Sequence, residues 1–197
     1  ISRGCIRKCS FCVVPEKEGA IRQVSTVDKI VRHKKVKFLD NNFLALPNHK
    51  DILLELIDKN IRHQFSQGLD IRLVDEGNTK LLSRLNYLGE FIFAFDDWGQ
   101  LKQMESGLKL LKWRKPFQLK FFVYCHPNMV LGNVVKRIEW LRENQCLPYL
   151  MRHLDCWESE NNAVYVDLAA YCNQPGIFKK LTFKEYIYRR HPGDVER

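Results

Sequence analysis

The sequence lacks any long hydrophobic run. No segment approaches the roughly 20 apolar residues that a helix needs to cross a bilayer, so we expect neither a membrane span nor a membrane partner. The charged, cysteine-rich residues 3–9 are unlike a signal peptide. The chain also lacks an initial Met, and its cysteine motif begins as early as Cys5, so we expect that upstream sequence is missing.

The placement of the cysteines does not suit a disulfide scaffold. The 197 residues include 7 cysteines, an odd number, and a chain of this length buries a core without disulfides. Three cysteines crowd into residues 5–12, and four are scattered: Cys125, Cys146, Cys156 and Cys172. We interpret the scattered four as buried thiols. The crowded three indicate a metal site in a reducing compartment, which predicts a cytoplasmic protein.

The net charge is +9, and the basic residues form short groups such as Lys34-Lys35 and Arg189-Arg190. Such a charge is compatible with a nucleic-acid partner. However, no group interleaves arginine with aromatic residues in an RNA-binding pattern. A solvated basic surface is therefore the favoured interpretation.

Strand-like and helix-like hydrophobic patterns alternate along the chain. This alternation is typical of right-handed βαβ units, with a parallel sheet and outer helices. After about residue 160 only helical segments follow, so we predict a core over residues 1–160 and a helical extension packed on it over residues 161–197. A further strand would end in Ile1-Ser2-Arg3. The other predicted strands are Val36–Asp40, Gln64–Gln67, Phe91–Phe95, Leu119–Tyr124 and Leu147–Met151.

Polar residues follow several of the predicted strands. They are Asp40-Asn41-Asn42, Gln67, Asp96-Asp97 and His126. Ligands collect beyond the carboxyl ends of parallel strands, so we expect Cys5, Cys9, Cys12, Asp40 and Asp96 to share one rim. The six histidines show no ligand-like spacing, and the sequence assigns none of them to a metal.

The three crowded cysteines form a C-x3-C-x2-C loop at Cys5, Cys9 and Cys12. Three adjacent thiolates repel one another and need a cation. Structural zinc favours four ligands, and no partner pair follows. A thioredoxin-like motif would use only the C-x2-C pair and leave Cys5 without a role. Three thiolates on a four-iron cluster would leave one iron open to a small molecule.

The loop resembles the signature of the radical S-adenosylmethionine (SAM) superfamily, in which an aromatic residue, here Phe11, precedes the last cysteine. Arg3-Gly4 and the segment Phe11–Gly19 resemble its elongator and cobalamin-dependent branches. The resemblance extends over most of the chain in the order of the elements. It implies an α/β fold, a partial (β/α)6 TIM-like barrel that is open on one side. The cluster loop would follow the first strand, which is largely missing from this chain.

The resemblance implies a [4Fe-4S] cluster on Cys5, Cys9 and Cys12, with the methionine part of SAM on the fourth iron. It also implies cofactor contacts for further residues. Phe11 would pack beside the adenine, and Met151 occupies a strand position whose backbone usually flanks it.

Two other groups of residues match family positions less closely. Asp40-Asn41-Asn42 stands where the family commonly has a Gly-Gly-Glu-like stretch that meets the cofactor's amino group, although an Asx turn explains these residues nearly as well. Asp96, ahead of Asp97, would bind the ribose, and one of the two would cap the following helix.

The implied activity is reductive cleavage of SAM to a 5′-deoxyadenosyl radical, which abstracts hydrogen from a substrate that the sequence does not identify. The implied partner is a one-electron reductant such as flavodoxin or ferredoxin. The alternatives are a non-catalytic Fe–S or zinc module, a tRNA-modifying methylthiotransferase-like enzyme and a degenerate barrel retained as a scaffold. The methylthiotransferase family normally carries two further domains, neither of which is visible in this sequence.

Overall fold

A computed structural model describes residues 1–192. The strands are β1 (Ser2–Arg3), β2 (Arg22–Gln23), β3 (Lys35–Phe38), β4 (Arg62–Phe65), β5 (Phe91–Ala94), β6 (Leu119–Cys125) and β7 (Leu147–Arg152). The α-helices are α1 (Val14–Lys17), α2 (Val27–Ile30), α3 (His49–Asp58), α4 (Glu76–Leu82), α5 (Leu101–Leu110), α6 (Leu131–Glu143), α7 (Asn162–Cys172), α8 (Pro175–Phe178) and α9 (Phe183–Arg190).

The described chain divides into two compact units. The first comprises Ile1–Ala94 and Lys102–Lys115, and the second comprises Phe95–Leu101 and the chain from Pro116 to residue 192. The cysteine loop and Asp40 belong to the first unit, whereas Asp96 belongs to the second. The single rim predicted for them, and the predicted boundary near residue 160, therefore stay predictions.

The first unit contains a parallel strand pair above an aromatic core. β3 and β4 pair in parallel with Phe38 opposite Phe65, and the ring of Phe43 stacks on that of Phe65 with centroids 4.3 Å apart. Helix α3 buries Ile52, Leu53 and Leu56, whose spacing places them on one helical face. The end of the predicted first strand forms β1, which pairs antiparallel with β2.

His63 on β4 is a fully buried histidine in this core. Its Nδ1 lies 2.8 Å from the carbonyl of Ile61, an acceptor, so Nδ1 carries the proton. Its Nε2 is buried without a hydrogen-bond partner. Burial lowers the pKa of His63, because protonation would place a charge among aromatic rings.

The second unit contains the parallel pair β6 and β7, whose register sets Cys125 opposite Arg152. Burial alternates along β6, since Leu119, Phe121, Val123 and Cys125 are buried while the residues between them are partly exposed. Helices α6 and α7 pack on this pair and bury one of its faces.

The structure confirms the α/β class and the parallel pairing of strands. Leu81, Leu82, Leu85 and Leu88 have the spacing of one helical stripe, but α4 covers only Glu76–Leu82. Asp75 caps its start by accepting from the N–H of Asn78 at 2.6 Å. Among residues 1–192, no helix has both the length and the apolar character needed for a membrane span.

Candidate functional site

The three loop thiols, Cys5, Cys9 and Cys12, lie on one irregular segment between β1 and α1. All three cysteines are partly exposed. The N–H of Cys12 donates to the carbonyl of Cys9 at 3.0 Å and closes the C-x2-C end into a turn. Thiols on one short, accessible segment suit a metal group that arrives from solution.

Two N–H groups are directed at the sulfur of Cys5. The backbone N–H of Arg7 lies 3.3 Å from Sγ, and Nδ2 of Asn42, which follows β3, lies 3.4 Å from it. Hydrogen bonds to a ligating sulfur tune the potential of a bound iron–sulfur cluster. The surroundings of Cys5 therefore suit a metal-ligating thiolate.

A close backbone approach fixes the start of the loop. Gly4 has a φ of +82°, and a Cβ at this position would lie 2.2 Å from the carbonyl oxygen of Ala20. The N–H of Cys5 donates to the carbonyl of Gly19 at 3.1 Å, and the N–H of Gly4 donates to the carboxylate of Glu18 at 2.8 Å. Only glycine combines this φ with this contact, which explains Gly4 before the first cysteine.

The arginine within the loop is held by an almost buried carboxylate. Nε of Arg7 donates to Asp70 at 2.8 Å, and Nε of Arg72 donates to the same group at 2.7 Å. Burial opposes ionisation of Asp70, but the hydrogen bonds from Arg72 and Arg7 outweigh it and hold the pKa of Asp70 below its usual range. Asp70 thus stays ionised and anchors the segment between Cys5 and Cys9.

The polar residues Asp40, Asn41 and Asn42, which lie just beyond β3, have different surroundings. Asp40 is buried and accepts from the backbone N–H and the hydroxyl of Ser2. Asn41 donates to Glu18 at 2.7 Å. Asn42 donates to Cys5, while its Oδ1 is buried and has no hydrogen-bond partner. The carboxylate of Asp40 is thus already engaged within the protein, and Oδ1 of Asn42 is the acceptor that remains for a ligand.

Apolar side chains accompany the loop thiols. Ile6, Phe11 and Val13 are all exposed. Exposure of three large apolar side chains on a short segment is costly unless something covers them. The position of Phe11 is compatible with the predicted contact to an adenine, which stays a prediction.

Asp96 and Asp97 have separate roles within the second unit. Asp97 is the N-cap of the short 3-10 helix Trp98–Gln100 and accepts from the N–H of Gly99 at 2.8 Å. Asp96 is partly exposed, and its Oδ1 accepts from the N–H of Tyr124 at 3.2 Å. Asp97 is therefore the capping residue of the pair, and a ribose contact by Asp96 stays a prediction.

A buried arginine from α6 organises the region around Asp96. Arg137 is 1 % exposed, and its guanidinium donates to the carbonyl of Phe95 at 2.7 Å and to that of Tyr124 at 3.0 Å. Burial lowers the pKa of Arg137, and Asp96 opposes that effect. Arg137 was not predicted from the sequence, where it is indistinguishable from an exposed charged residue of a helix.

Met151 lies on the face of β6 and β7 that the helices leave accessible. Met151 and Tyr149 are both exposed, and Tyr149 packs edge-on against Phe122 of β6 with ring centroids 5.8 Å apart. This face is apolar and partly aromatic, and the contact with adenine at Met151 stays a prediction.

The structure brings together three residues that the sequence analysis did not assign to a metal. His126, His153 and Asp155 lie beyond the ends of β6 and β7 and present ligand atoms within 4.8 Å of one another. A signal was available, because one histidine lies two residues beyond the end of each of two successive predicted strands. Spacing within a single motif does not reveal this signal, because the two histidines lie far apart along the chain.

The four scattered cysteines are buried thiols, as predicted, and none of them forms a disulfide. Burial raises the pKa of Cys125 to about 12, and it also raises the pKa of Cys156 and Cys172. These thiols stay protonated near neutral pH and are poor nucleophiles.

Comparison with protein-family models, with curated proteins and with solved structures finds no match to this chain.

Proposed function

We propose that this chain is the core of a radical SAM enzyme, with a [4Fe-4S] cluster on Cys5, Cys9 and Cys12. The observation that carries the proposal is the loop itself. Its three thiols are accessible, and Cys5 receives two N–H groups. Three thiolates bind three irons and leave the fourth open to SAM.

The residues around the loop fit such a group. Oδ1 of Asn42 is a buried acceptor without a partner, which suits the amino group of the methionine part of SAM. Within the predicted group Asp40-Asn41-Asn42, we therefore propose Asn42 as the residue that binds the amino group. Phe11, Asp96 and Met151 keep their proposed contacts with adenine and ribose.

The fold that we propose is the partial (β/α)6 barrel. The regular βα order from β3 to β7 supports it, as does the parallel pairing within each unit. In that arrangement the accessible face of β6 and β7 would line the barrel interior, where apolar side chains keep water away from a reactive species.

With both groups bound, the chemistry supplied is one-electron reductive cleavage of SAM to a 5′-deoxyadenosyl radical that takes a hydrogen atom from the substrate. The contributions of this chain are binding and orientation. Asp70 fixes the loop through Arg7, and Arg137 fixes the loop that bears Asp96. The proposed electron donor is a flavodoxin- or ferredoxin-like protein.

The test is anaerobic reconstitution of the full chain with iron and sulfide. We expect about four irons and four sulfides per chain, and formation of 5′-deoxyadenosine from SAM after reduction. Cys9→Ala should abolish both. Cys146→Ala, which removes a buried thiol far along the chain from the loop, is the control and should retain both.

Other outcomes would favour the alternatives. Zinc without sulfide in anaerobically purified protein would contradict the cluster and identify a zinc module. A full cluster without SAM cleavage would contradict the enzyme and favour an Fe–S module or a degenerate barrel. Methylthiolated tRNA as the product would identify the methylthiotransferase-like alternative.

A further inference from the structure

Two histidines lie side by side beyond the ends of β6 and β7. Because Cys125 is opposite Arg152 in the parallel register, the next residues, His126 and His153, are neighbours. The N–H of His153 donates to the carbonyl of Cys125 at 2.9 Å and extends the pairing. The two imidazole centroids are 4.5 Å apart. The strand register thus sets the positions of both rings.

Asp155 places its carboxylate between the two rings. Its Oδ2 lies 3.1 Å from Nε2 of His126, and its Oδ1 lies 3.2 Å from Nδ1 of His153. All three side chains are at least partly exposed, so the group is accessible from solution. Two imidazoles and one carboxylate form a common donor set for Zn²⁺ and other first-row divalent metals.

We propose that His126, His153 and Asp155 bind a divalent transition metal, with Zn²⁺ as the representative ion. Metal–ligand bonds of about 2.0–2.2 Å in tetrahedral geometry set neighbouring ligand atoms roughly 3.3–3.5 Å apart. The two ring nitrogens lie 3.1 Å from Oδ2 and 3.2 Å from Oδ1 of Asp155. One ligand atom from each of the three residues lies within 4.8 Å of the other two, which is a little wider than this spacing.

Nδ1 of His153 already takes part in a hydrogen bond. The backbone N–H of Asp155 donates to it at 3.3 Å, and it lies 3.2 Å from a carboxylate oxygen of Asp155. A metal on Nδ1 would use the lone pair that now accepts this N–H, so metal binding replaces that hydrogen bond.

His126 needs a change of tautomer. The N–H of Asn128 donates to its Nδ1 at 3.0 Å, so the proton of the neutral ring is on Nε2, where it points at Asp155. A metal on Nε2 takes the place of that proton. The ring then carries its one proton on Nδ1 and gives up the hydrogen bond from Asn128.

This site and the cysteine loop share no residue. It belongs to the second unit, and its donors are nitrogen and oxygen. The flanking thiols of Cys125 and Cys156 are fully buried. Three protein ligands leave one tetrahedral position open to water or to a substrate oxygen, as in catalytic zinc sites. The inference therefore does not depend on the cluster.

The experiment is a calorimetric titration of the full chain with Zn²⁺. The loop thiols would also bind zinc, so the background variant carries Cys5→Ala, Cys9→Ala and Cys12→Ala. We expect about one Zn²⁺ per chain in this background. Adding His153→Ala or Asp155→Asn should weaken binding by about 100-fold or more, since even the loss of an outer-shell partner costs 10- to 100-fold.

His33→Ala is the matched control, because His33 is an exposed histidine outside the site, and it should bind Zn²⁺ like the background. Circular dichroism identifies variants that fail to fold. If His153→Ala does not fold, His126→Gln takes its place. The rise in melting temperature on adding Zn²⁺ is then compared between that variant and the background. Absence of binding in the folded background, or equal binding in all variants, would overturn the proposal. Neither result bears on the cysteine loop.

Discussion

Gly4→Ala tests whether the close backbone contact before Cys5 holds the cluster loop in place. Gly4 has a φ of +82°, and the added Cβ would lie 2.2 Å from the carbonyl oxygen of Ala20. Both atoms belong to the backbone, so no side-chain rotation relieves the clash, and the two segments must separate.

The cost follows from what that separation breaks. An alanine at positive φ costs roughly 1–2 kcal/mol. Loss of the hydrogen bond from Cys5 to Gly19 adds about 1 kcal/mol, and loss of the bond from Gly4 to the Glu18 carboxylate adds about 1.5–3 kcal/mol. The sum is roughly 3.5–6 kcal/mol, which lowers the melting temperature by about 10 °C or more.

Gly19→Ala is the matched control in the same loop. Gly19 has a φ of +72°, but nothing lies within 4 Å of the position of its Cβ. It carries only the conformational cost of about 1–2 kcal/mol. Differential scanning calorimetry and the iron content after reconstitution should separate the two variants. Equal melting temperatures and equal iron content would refute the role given to the contact at Gly4.

Three further results are expected. Asp96→Asn should keep its fold and cluster yet bind SAM about tenfold or more weakly in a calorimetric titration, because a charge-assisted hydrogen bond is lost; equal affinity with a lower melting temperature would make Asp96 structural. The pKa of His63 is lowered by burial, so the free energy of unfolding should fall as pH drops below about 6.5. His63→Phe should reduce this dependence of the unfolding free energy on pH, and an unchanged dependence in chemical denaturation would contradict the prediction. Alkylation of the native apoprotein should label the three loop thiols before the four scattered ones, and mass spectrometry showing Cys125 modified as fast as Cys9 would contradict this.

Hydrophobic periodicity predicted much of the fold. Each of the predicted strands from Val36 to Met151 overlaps one of β3 to β7, because runs such as Phe91–Phe95 have no helical alternative of that length. The sequence failed where a polar residue sets a boundary. Leu85 and Leu88 continue the apolar stripe of α4, yet the helix begins earlier, at the cap of Asp75, and ends at Leu82.

The candidate site was only partly predictable, because residue spacing identifies only groups whose members are close together in the sequence. The three loop thiols are local and were found from the motif. Asp70 lies 63 positions from its partner Arg7, and Asp155 lies 29 from His126, so only the fold brings them together. The sequence also did not show that Ser2 donates to the carboxylate of Asp40, and a cofactor contact by Asp40 stays a prediction.

The fork of Arg137 has a consequence for how the chain tolerates change. One planar group spans two carbonyls, that of Phe95 next to Asp96 and that of Tyr124 two residues before His126. The loop that bears Asp96 and the loop that bears His126 are therefore linked through Arg137, which is not itself one of the proposed binding residues. Lysine at this position would keep the charge but lack the rigid fork. The hydrogen bond from the N–H of Tyr124 to Asp96 would then have to hold the two loops together, so a conservative exchange in helix α6 would disturb two sites at once.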